Sequence, residues 1–137
     1  MKPDYRYFDH EADIGIEAEG KTMEEAFEAA ALAMFAIMAE PATVIPERRI
    51  QVAFDEADPE YALVIWLNQL LAQARLHGLV FCAYQLKRVG DHWQGEAWGM
   101  PWQPGADRGT EVKGATLTQL RVEQTARGWR ARCVVDV

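Results

Sequence analysis

The first part of the chain changes from a strand pattern to a helix pattern near Gly20. Residues 13–20, DIGIEAEG, alternate apolar and polar side chains, which predicts a half-buried strand. Thr22 then stands three residues before Glu25, which is the spacing of a helix capping box, and Pro41 ends the helical pattern. The apolar residues between these signals recur at helical intervals: Met23, Phe27, Ala30, Met34 and Met38.

A second strand and a second helix follow in the same order. Residues 50–54, IQVAF, alternate as a strand. Asp58 and Pro59 then suit the N-cap and first position of a helix, and Gly78 suits its C-cap. The helix between these signals has a wide apolar stripe, which should pack against a sheet: Leu63, Trp66, Leu67, Leu70, Leu71 and Ala74.

The second half of the chain is rich in strand patterns separated by turn signals. Strands are predicted over residues 79–89, 92–100, 110–124 and 129–137. The predicted fold class is therefore α+β, with a largely antiparallel sheet or sheets and two main helices packed on one face. A length of 137 residues fits one domain, residues 1–137.

The composition argues against several classes of protein. The chain has 21 acidic and 14 basic residues, a formal charge of −7. Direct sequence-specific binding of nucleic acid is not expected, because phosphate binding draws on lysine and arginine. No apolar run approaches the ~20 residues of a membrane span, and the first ten residues lack the apolar segment of a signal peptide. We therefore expect a soluble cytoplasmic protein without membrane contact.

The sequence contains none of the common motifs for a serine nucleophile, a phosphate-binding loop or a known metal site. Serine is absent, and so are the glycine-rich phosphate loops, the HExxH motif and the EF-hand pattern. Cys82 and Cys133 lie in apolar runs without CxxC spacing, so we expect reduced core residues ahead of a disulfide, a zinc site or a catalytic thiol. With these groups set aside, carboxylate side chains are the remaining candidates for a functional site.

Two aspartates lie next to apolar strand patterns near the two ends of the chain. Asp13 precedes Ile14 at the start of one strand, and Asp136 ends the apolar run of another. Strands that start and end in this way can place both carboxylates at one edge of a sheet. With the carboxylate of Val137, they suggest an oxygen-only site for Ca²⁺, Mg²⁺ or Mn²⁺. The alternative is that Asp13 caps a turn and Asp136 is solvated.

Of the three histidines, His10 has the most suggestive surroundings. His77 fits the last turn of a helix and His92 an exposed position after a hairpin turn. His10 lies beside the acidic residues at the expected start of a strand. There it could orient a carboxylate, act as a base, or have a structural role.

Four segments in order resemble the archease family. Residues 7–38, YFDHEADIGIEAEGKTMEEAFEAAALAMFAIM, are similar to its amino-terminal signature, a His-x-Ala-Asp strand followed by a Gly and a helix. The helix LVIWLNQLLAQA, the segment GTEVKGATLTQLRV and the ending VVDV follow as in the family. The resemblance spans essentially the whole chain. Glu11 and Gly114 depart from it, since the family usually has Thr and Ala there, and so do Leu117 and Thr118, where the family usually has an aromatic residue followed by His or Ser.

The resemblance implies an accessory protein rather than an enzyme. Archeases activate an RtcB-type RNA ligase, promoting its GTP-dependent guanylylation and repeated turnover in tRNA splicing and RNA repair. Carried over to this sequence, the family's metal site corresponds to Asp13, Asp136 and Val137, with calcium as the first choice of ion. His10 would support the ligands or face the partner, and Asp9 would be a solvated residue.

Two other functions stay open at this point. A metal-dependent hydrolase would use Asp13 and Asp136 as ligands and His10 as the base, and would turn over a phosphoester without a second protein. A chaperone-like modulator of a partner protein would need no metal, and its surface feature would be an exposed apolar patch.

Overall fold

The computed structural model describes residues 4–103 and 108–137. They form two α-helices, one short 3₁₀ turn at Pro41–Thr43 and eight strands. The helices are α1 (Met23–Met38) and α2 (Pro59–His77). The strands are β1 (Asp4–His10), β2 (Asp13–Gly20), β3 (Arg48–Asp55), β4 (Leu79–Val89), β5 (His92–Pro101), β6 (Gly114–Ala115), β7 (Arg121–Thr125) and β8 (Gly128–Asp136).

The strands form two antiparallel sheets. The first has five strands in the order β1-β2-β8-β6, with β7 also paired to β8, and the second has three strands in the order β3-β5-β4. Both sheets contact α1, mainly through β2, β8 and β4. The predicted α+β class with largely antiparallel sheets is confirmed.

The helix ends follow the predicted capping signals. The Thr22 hydroxyl accepts the N–H of Glu25 at 3.1 Å, and the Glu25 carboxylate accepts the N–H of Lys21 at 3.0 Å. In α2, the carboxylate of Asp58 accepts the N–H of Glu60 at 2.9 Å. Gly78 ends this helix with a φ of 65°, a left-handed conformation in which glycine has no side chain to clash.

Aromatic side chains join the helices to the three-stranded sheet. Trp66 of α2 is fully buried, and its indole N–H donates to the carbonyl of Phe27 on α1 at 3.0 Å. The Phe27 ring stacks on Trp93 of β5 with ring centroids 5.2 Å apart, and Phe54 stacks on the same indole at 5.9 Å. Burial of these large rings gives the core much of its stabilisation.

The predicted strand over residues 110–124 is wrong, because a turn divides it into β6 and β7. The Thr116 hydroxyl donates to the carbonyl of Val134 at 2.8 Å and accepts the N–H of Thr118 at 3.2 Å. Gln119 then takes a φ of 51°, outside the strand region. Local side-chain hydrogen bonds of this kind compete with a continuous ladder.

The two cysteines are free thiols in different surroundings. Cys133 is buried, and burial raises the pKa of its thiol to about 12, so it stays protonated and unreactive. Cys82 is half-buried, and burial raises the pKa of this thiol too. The core position predicted for both holds fully for Cys133 and in part for Cys82.

Neither helix within the described residues combines the length and the apolar character needed to span a bilayer.

Close contact between β4 and β5 depends on Gly99. A Cβ atom at this position would overlap the carbonyl oxygen of Val80 on the neighbouring strand, and main-chain atoms there cannot move aside cheaply. We therefore expect Gly99→Ala to lower the free energy of unfolding by about 1–3 kcal/mol in urea denaturation. The matched control is Gly114→Ala, whose Cβ would meet only Asn68 Oδ1 at 3.4 Å. Equal stability of the two variants would contradict this description of β4 and β5.

Candidate metal centre at the end of the five-stranded sheet

The β1–β2 hairpin brings His10 and Asp13 together. The two residues pair directly across the hairpin, and Glu11 begins the connecting turn with a φ of 53°. Directly paired residues in an antiparallel ladder place their side chains on the same face. His10 was expected at the start of a strand, and this is corrected: it ends β1, a strand that the apolar pattern did not reveal.

The last strand brings Asp136 to the same place. The β2–β8 ladder ends where Ile14 pairs with Val135, so the next residues along the two strands, Asp13 and Asp136, are neighbours at its end. The Asp13 carboxylate accepts a hydrogen bond from the main-chain N–H of Val137 at 3.3 Å. The fold thus gathers at one end of the sheet the residues singled out from the sequence, which we call the acidic tip: His10, Asp13, Asp136 and Val137.

Asn68 of α2 supports the acidic tip from behind, a role that sequence analysis missed. The carbonyl of Asp136 accepts the N–H of Lys113 at 2.8 Å, and Gly114 pairs with Asp136 in β6. The Asn68 amide donates to the carbonyl of Ala115 at 3.1 Å and accepts its N–H at 2.8 Å. The feature of the sequence that could have revealed this role is a polar amide side chain among the apolar residues of the second helix.

The oxygen atoms at the acidic tip suit a hard divalent cation. Asp13 is half-buried and Asp136 is exposed, so a cation there would keep contact with water. Over residues 4–103 and 108–137, no three His, Cys, Asp or Glu side chains form a group that could hold a metal ion. A cation at the tip would therefore bind other oxygen atoms beside the two carboxylates, and the main chain of Val137 is the expected source. Ca²⁺, Mg²⁺ and Mn²⁺ accept such ligands, and the site stays a prediction.

His10 has an unsatisfied polar atom beside these carboxylates. Its imidazole is half-buried, and Nδ1 is buried without a hydrogen-bond partner in the part of the chain described. A buried polar atom without a partner often marks the place of an additional bound group. This observation fits both roles considered for His10, support of a metal ligand and contact with a partner.

The other candidate side chains lie away from the acidic tip. His77 is in the last turn of α2, 3.2 Å from Gln73 Oε1. His92 is exposed at the start of β5 and lies 2.8 Å from the carboxylate of Asp55. Asp9 is exposed and, by strand alternation, points to the opposite face from His10.

A cluster of charged side chains lies on the same sheet face as the acidic tip. Glu17 of β2 is only 6% exposed and contacts three guanidinium groups, which together with it we call the Glu17 cluster: Arg6, Arg130 and Arg132. The guanidinium of Arg132 also lies over the ring of Phe8, 4.6 Å from its centroid. Sequence analysis placed Glu17 on the polar side of its strand but missed its burial, because the three arginines come from distant positions in the chain.

Comparison with known proteins shows the same family along nearly the whole chain. The model of the Archease protein family matches residues 5–137. The chain belongs to the archease family. It is 38% identical to Protein archease of Methanosarcina mazei, over 97% of this chain and 95% of that protein. It is 32% identical to Protein archease of Sulfurisphaera tokodaii, over 97% and 98% of the two chains.

A solved archease-family fold agrees with this assignment. The solution structure of Methanobacterium thermoautotrophicum protein 1598 superposes with a TM-score of 0.83 and 29% sequence identity, covering 97% of this chain and 98% of the other. The family resemblance drawn from the motifs is confirmed. Gly114 has space for the methyl group of the family's usual Ala. Glu11 has a left-handed φ that a β-branched Thr would adopt less readily, so neither of these two departures conflicts with the archease fold.

The Glu17 cluster gives a stability test for the face that carries the acidic tip. Glu17→Gln keeps the shape of the side chain but leaves three guanidinium groups without their shared anion. We expect the free energy of unfolding to fall by about 1–3 kcal/mol, less than for a fully buried pair because the arginines are partly exposed.

The matched control for this variant is Glu123→Gln. Glu123 also faces Arg130, at 3.6 Å, but its side chain is 38% exposed, so its removal should change stability by less than about 1 kcal/mol. Both are measured by urea denaturation at low and high salt. If the two variants lose the same stability, Glu17 is an ordinary surface carboxylate.

Proposed function

We propose that this archease-family protein activates an RtcB-type RNA ligase, promoting its GTP-dependent guanylylation and repeated turnover. The observation that carries the proposal is the convergence of Asp13, Asp136 and Val137 at one exposed end of the five-stranded sheet. Asp136 is exposed and Asp13 is half-buried, so a partner can reach the oxygens of this group from solvent, which it could not do if the group were fully buried. The protein acts here as an accessory to an enzyme.

The proposed ligands are the carboxylates of Asp13 and Asp136 and main-chain oxygens of Val137, with calcium as the first choice of ion. A divalent cation bound there would supply positive charge next to developing negative charge in the partner's reaction. The chain's own contribution is to orient the oxygens. The N–H of Val137 fixes the Asp13 carboxylate, and the pairing of β6 with β8 fixes the main chain of Asp136.

His10 and the overall charge contribute to recognition in this proposal. His10 is half-buried beside the carboxylates, so the accessible part of its imidazole can contact a partner group that approaches the acidic tip. The net charge of −7 favours association with a partner whose cleft is positive because it binds RNA. In this proposal the partner, not this chain, binds the RNA, so the acidic charge of this protein is compatible with a role in RNA processing.

The two alternative functions have less support. A stand-alone hydrolase with Asp13 and Asp136 as ligands would need a substrate-binding cleft at the tip, whereas two cavities of about 590 and 460 Å³ are lined by residues elsewhere. A chaperone-like modulator would need a continuous apolar patch. The exposed large apolar side chains of the described residues are spread over different elements: Tyr7, Ile45, Tyr61, Leu76, Val89 and Leu117.

Guanylylation of the host's RtcB-type ligase tests the proposal. The ligase is incubated with labelled GTP, a divalent metal and a sub-stoichiometric amount of this protein. We expect the wild type to accelerate formation of the ligase–guanylate adduct over many turnovers. Asp13→Asn should reduce that acceleration by at least about tenfold, because it removes one of the two charged ligands of the cation. The matched control is Asp9→Asn, on the same hairpin but the opposite face, which should behave as wild type.

Two outcomes would overturn the proposal. A ligase that is active alone but unaffected by this protein removes the activator function. Equal acceleration by wild type and a folded Asp13→Asn variant removes the metal-binding tip from the mechanism. Turnover of a generic phosphodiester by this protein alone, lost in Asp13→Asn, would favour the hydrolase.

A further inference from the structure

The strand β4 lies at the edge of the three-stranded sheet, and its outer side is open along part of its length. Its inner side pairs with β5, and no other strand of the described chain pairs with it. One outward-pointing N–H, that of Leu86, donates to the carboxylate of Glu28 on α1 at 2.8 Å. Exposed edges are commonly blocked in this way by a polar side chain.

The alternation of the ladder shows which main-chain groups stay open. Since the N–H of Leu86 points away from β5, the N–H and carbonyl of Tyr84, two residues earlier in the same regular register, also point away from β5. Glu28 blocks Leu86 but does not reach Tyr84. The register shifts between Phe81 and Ala83, which limits the open edge to a few residues.

A groove of about 590 Å³ runs along this open edge. One wall is β4 at Cys82, Ala83 and Tyr84, and the floor is a face of α1 that includes Ala29 and Leu32. The opposite wall comes from the five-stranded sheet and includes the indole of Trp129. A helix beside an exposed sheet edge is the architecture that binds extended peptides by strand addition.

The charges along the groove favour a basic occupant. Glu19 at its edge is already paired with Arg130 at 3.0 Å. The remaining charged side chains that line the groove are three carboxylates against two basic groups: Asp4, Glu25 and Glu28 against Lys21 and Arg127. Burial raises the pKa of the Glu28 carboxyl above its ordinary value, so a neighbouring cation would favour the charged form of this side chain. Trp129 offers an aromatic surface on which a lysine or arginine side chain can pack.

We propose that this groove binds an extended segment of a protein partner that carries lysine or arginine side chains and adds a strand to β4 at Tyr84. Main-chain hydrogen bonds to Tyr84 hold the segment, and the carboxylates select its basic side chains. The groove lies at the Gly20 end of β2, whereas the acidic tip lies at the Asp13 end. The inference therefore goes beyond the activator function and does not depend on the metal site.

The test uses ¹⁵N-labelled full-length protein and a blocked heptapeptide that alternates valine and lysine. We expect saturable shifts of the amide signals of Tyr84, Cys82 and Ala29, and slower hydrogen exchange at Tyr84. A peptide N-methylated on alternate residues, so that the edge-facing donors are lost, should bind at least about fivefold more weakly. A peptide with glutamate in place of lysine should bind more weakly by a similar or larger factor.

A variant of the protein tests the charge selection separately. Glu28→Gln keeps an acceptor for the N–H of Leu86 and should weaken binding of the lysine peptide by about threefold or more. The matched control is Glu24→Gln, in the same part of α1 but not lining the groove, which should bind as wild type. Guanylylation of the ligase is also measured with Glu28→Gln. Unchanged acceleration by this variant would show that the groove and the acidic tip act independently.

Three results would overturn the inference. The first is the absence of any saturable shift at Tyr84 up to about 1 mM peptide, where even weak specific binding is visible. The second is equal binding of the lysine peptide and its N-methylated form. The third is equal binding of spermidine, a free polycation, with the same set of shifts, which would reduce the groove to a general attraction for cations.

Discussion

The antiparallel pairing of β2 with β8 is the constraint on which the rest of the structure depends. It joins residues more than 100 positions apart, since Gly20 pairs with Trp129 and Ile14 with Val135. Along this ladder, Ile16 and its partner Cys133 both lie in the core against α1. A slip of one residue would exchange the buried and solvated faces of β2, so burial of these side chains specifies the register strongly.

The same register determines what the polar face can do. It places Glu17 directly opposite Arg132 and so builds the Glu17 cluster, in which one buried carboxylate orients several guanidinium groups. It also carries Asp13 to Asp136 at the end of the ladder. The core, the charged cluster and the acidic tip are therefore three consequences of one pairing, and a change that weakens the β2–β8 ladder should affect all of them.

Local signals in the sequence were enough to predict the helices and the fold class. The caps at Thr22, Asp58 and Gly78 act within one helical turn, so the residues that form them are visible in the sequence. The turn after Ala115 was missed because it depends on a hydrogen bond from Thr116 to Val134, a residue from another strand. Features that require distant residues to meet cannot be read from periodicity alone.

The residues of the acidic tip could be singled out from the sequence, although they come from its two ends. Asp13 and Asp136 each interrupt an apolar strand pattern, which makes them visible, and the family resemblance linked them before their pairing was known. The burial of Glu17, the support from Asn68 and the open edge of β4 lacked such a signal. Each depends on the sheet order, in which β2 lies between β1 and β8 and β4 has one free side.

The cation site at the acidic tip is tested most directly by adding Mn²⁺ to ¹⁵N-labelled protein. Binding is detected as paramagnetic broadening of the amide signals in the NMR spectrum. If β2–β8 pairing builds a cation site, sub-stoichiometric Mn²⁺ should broaden the amide signals of His10, Asp13 and Gly114 first, and excess Ca²⁺ should restore them. Broadening that is uniform, or centred on carboxylates away from the tip such as Glu56 and Asp58, would contradict the account.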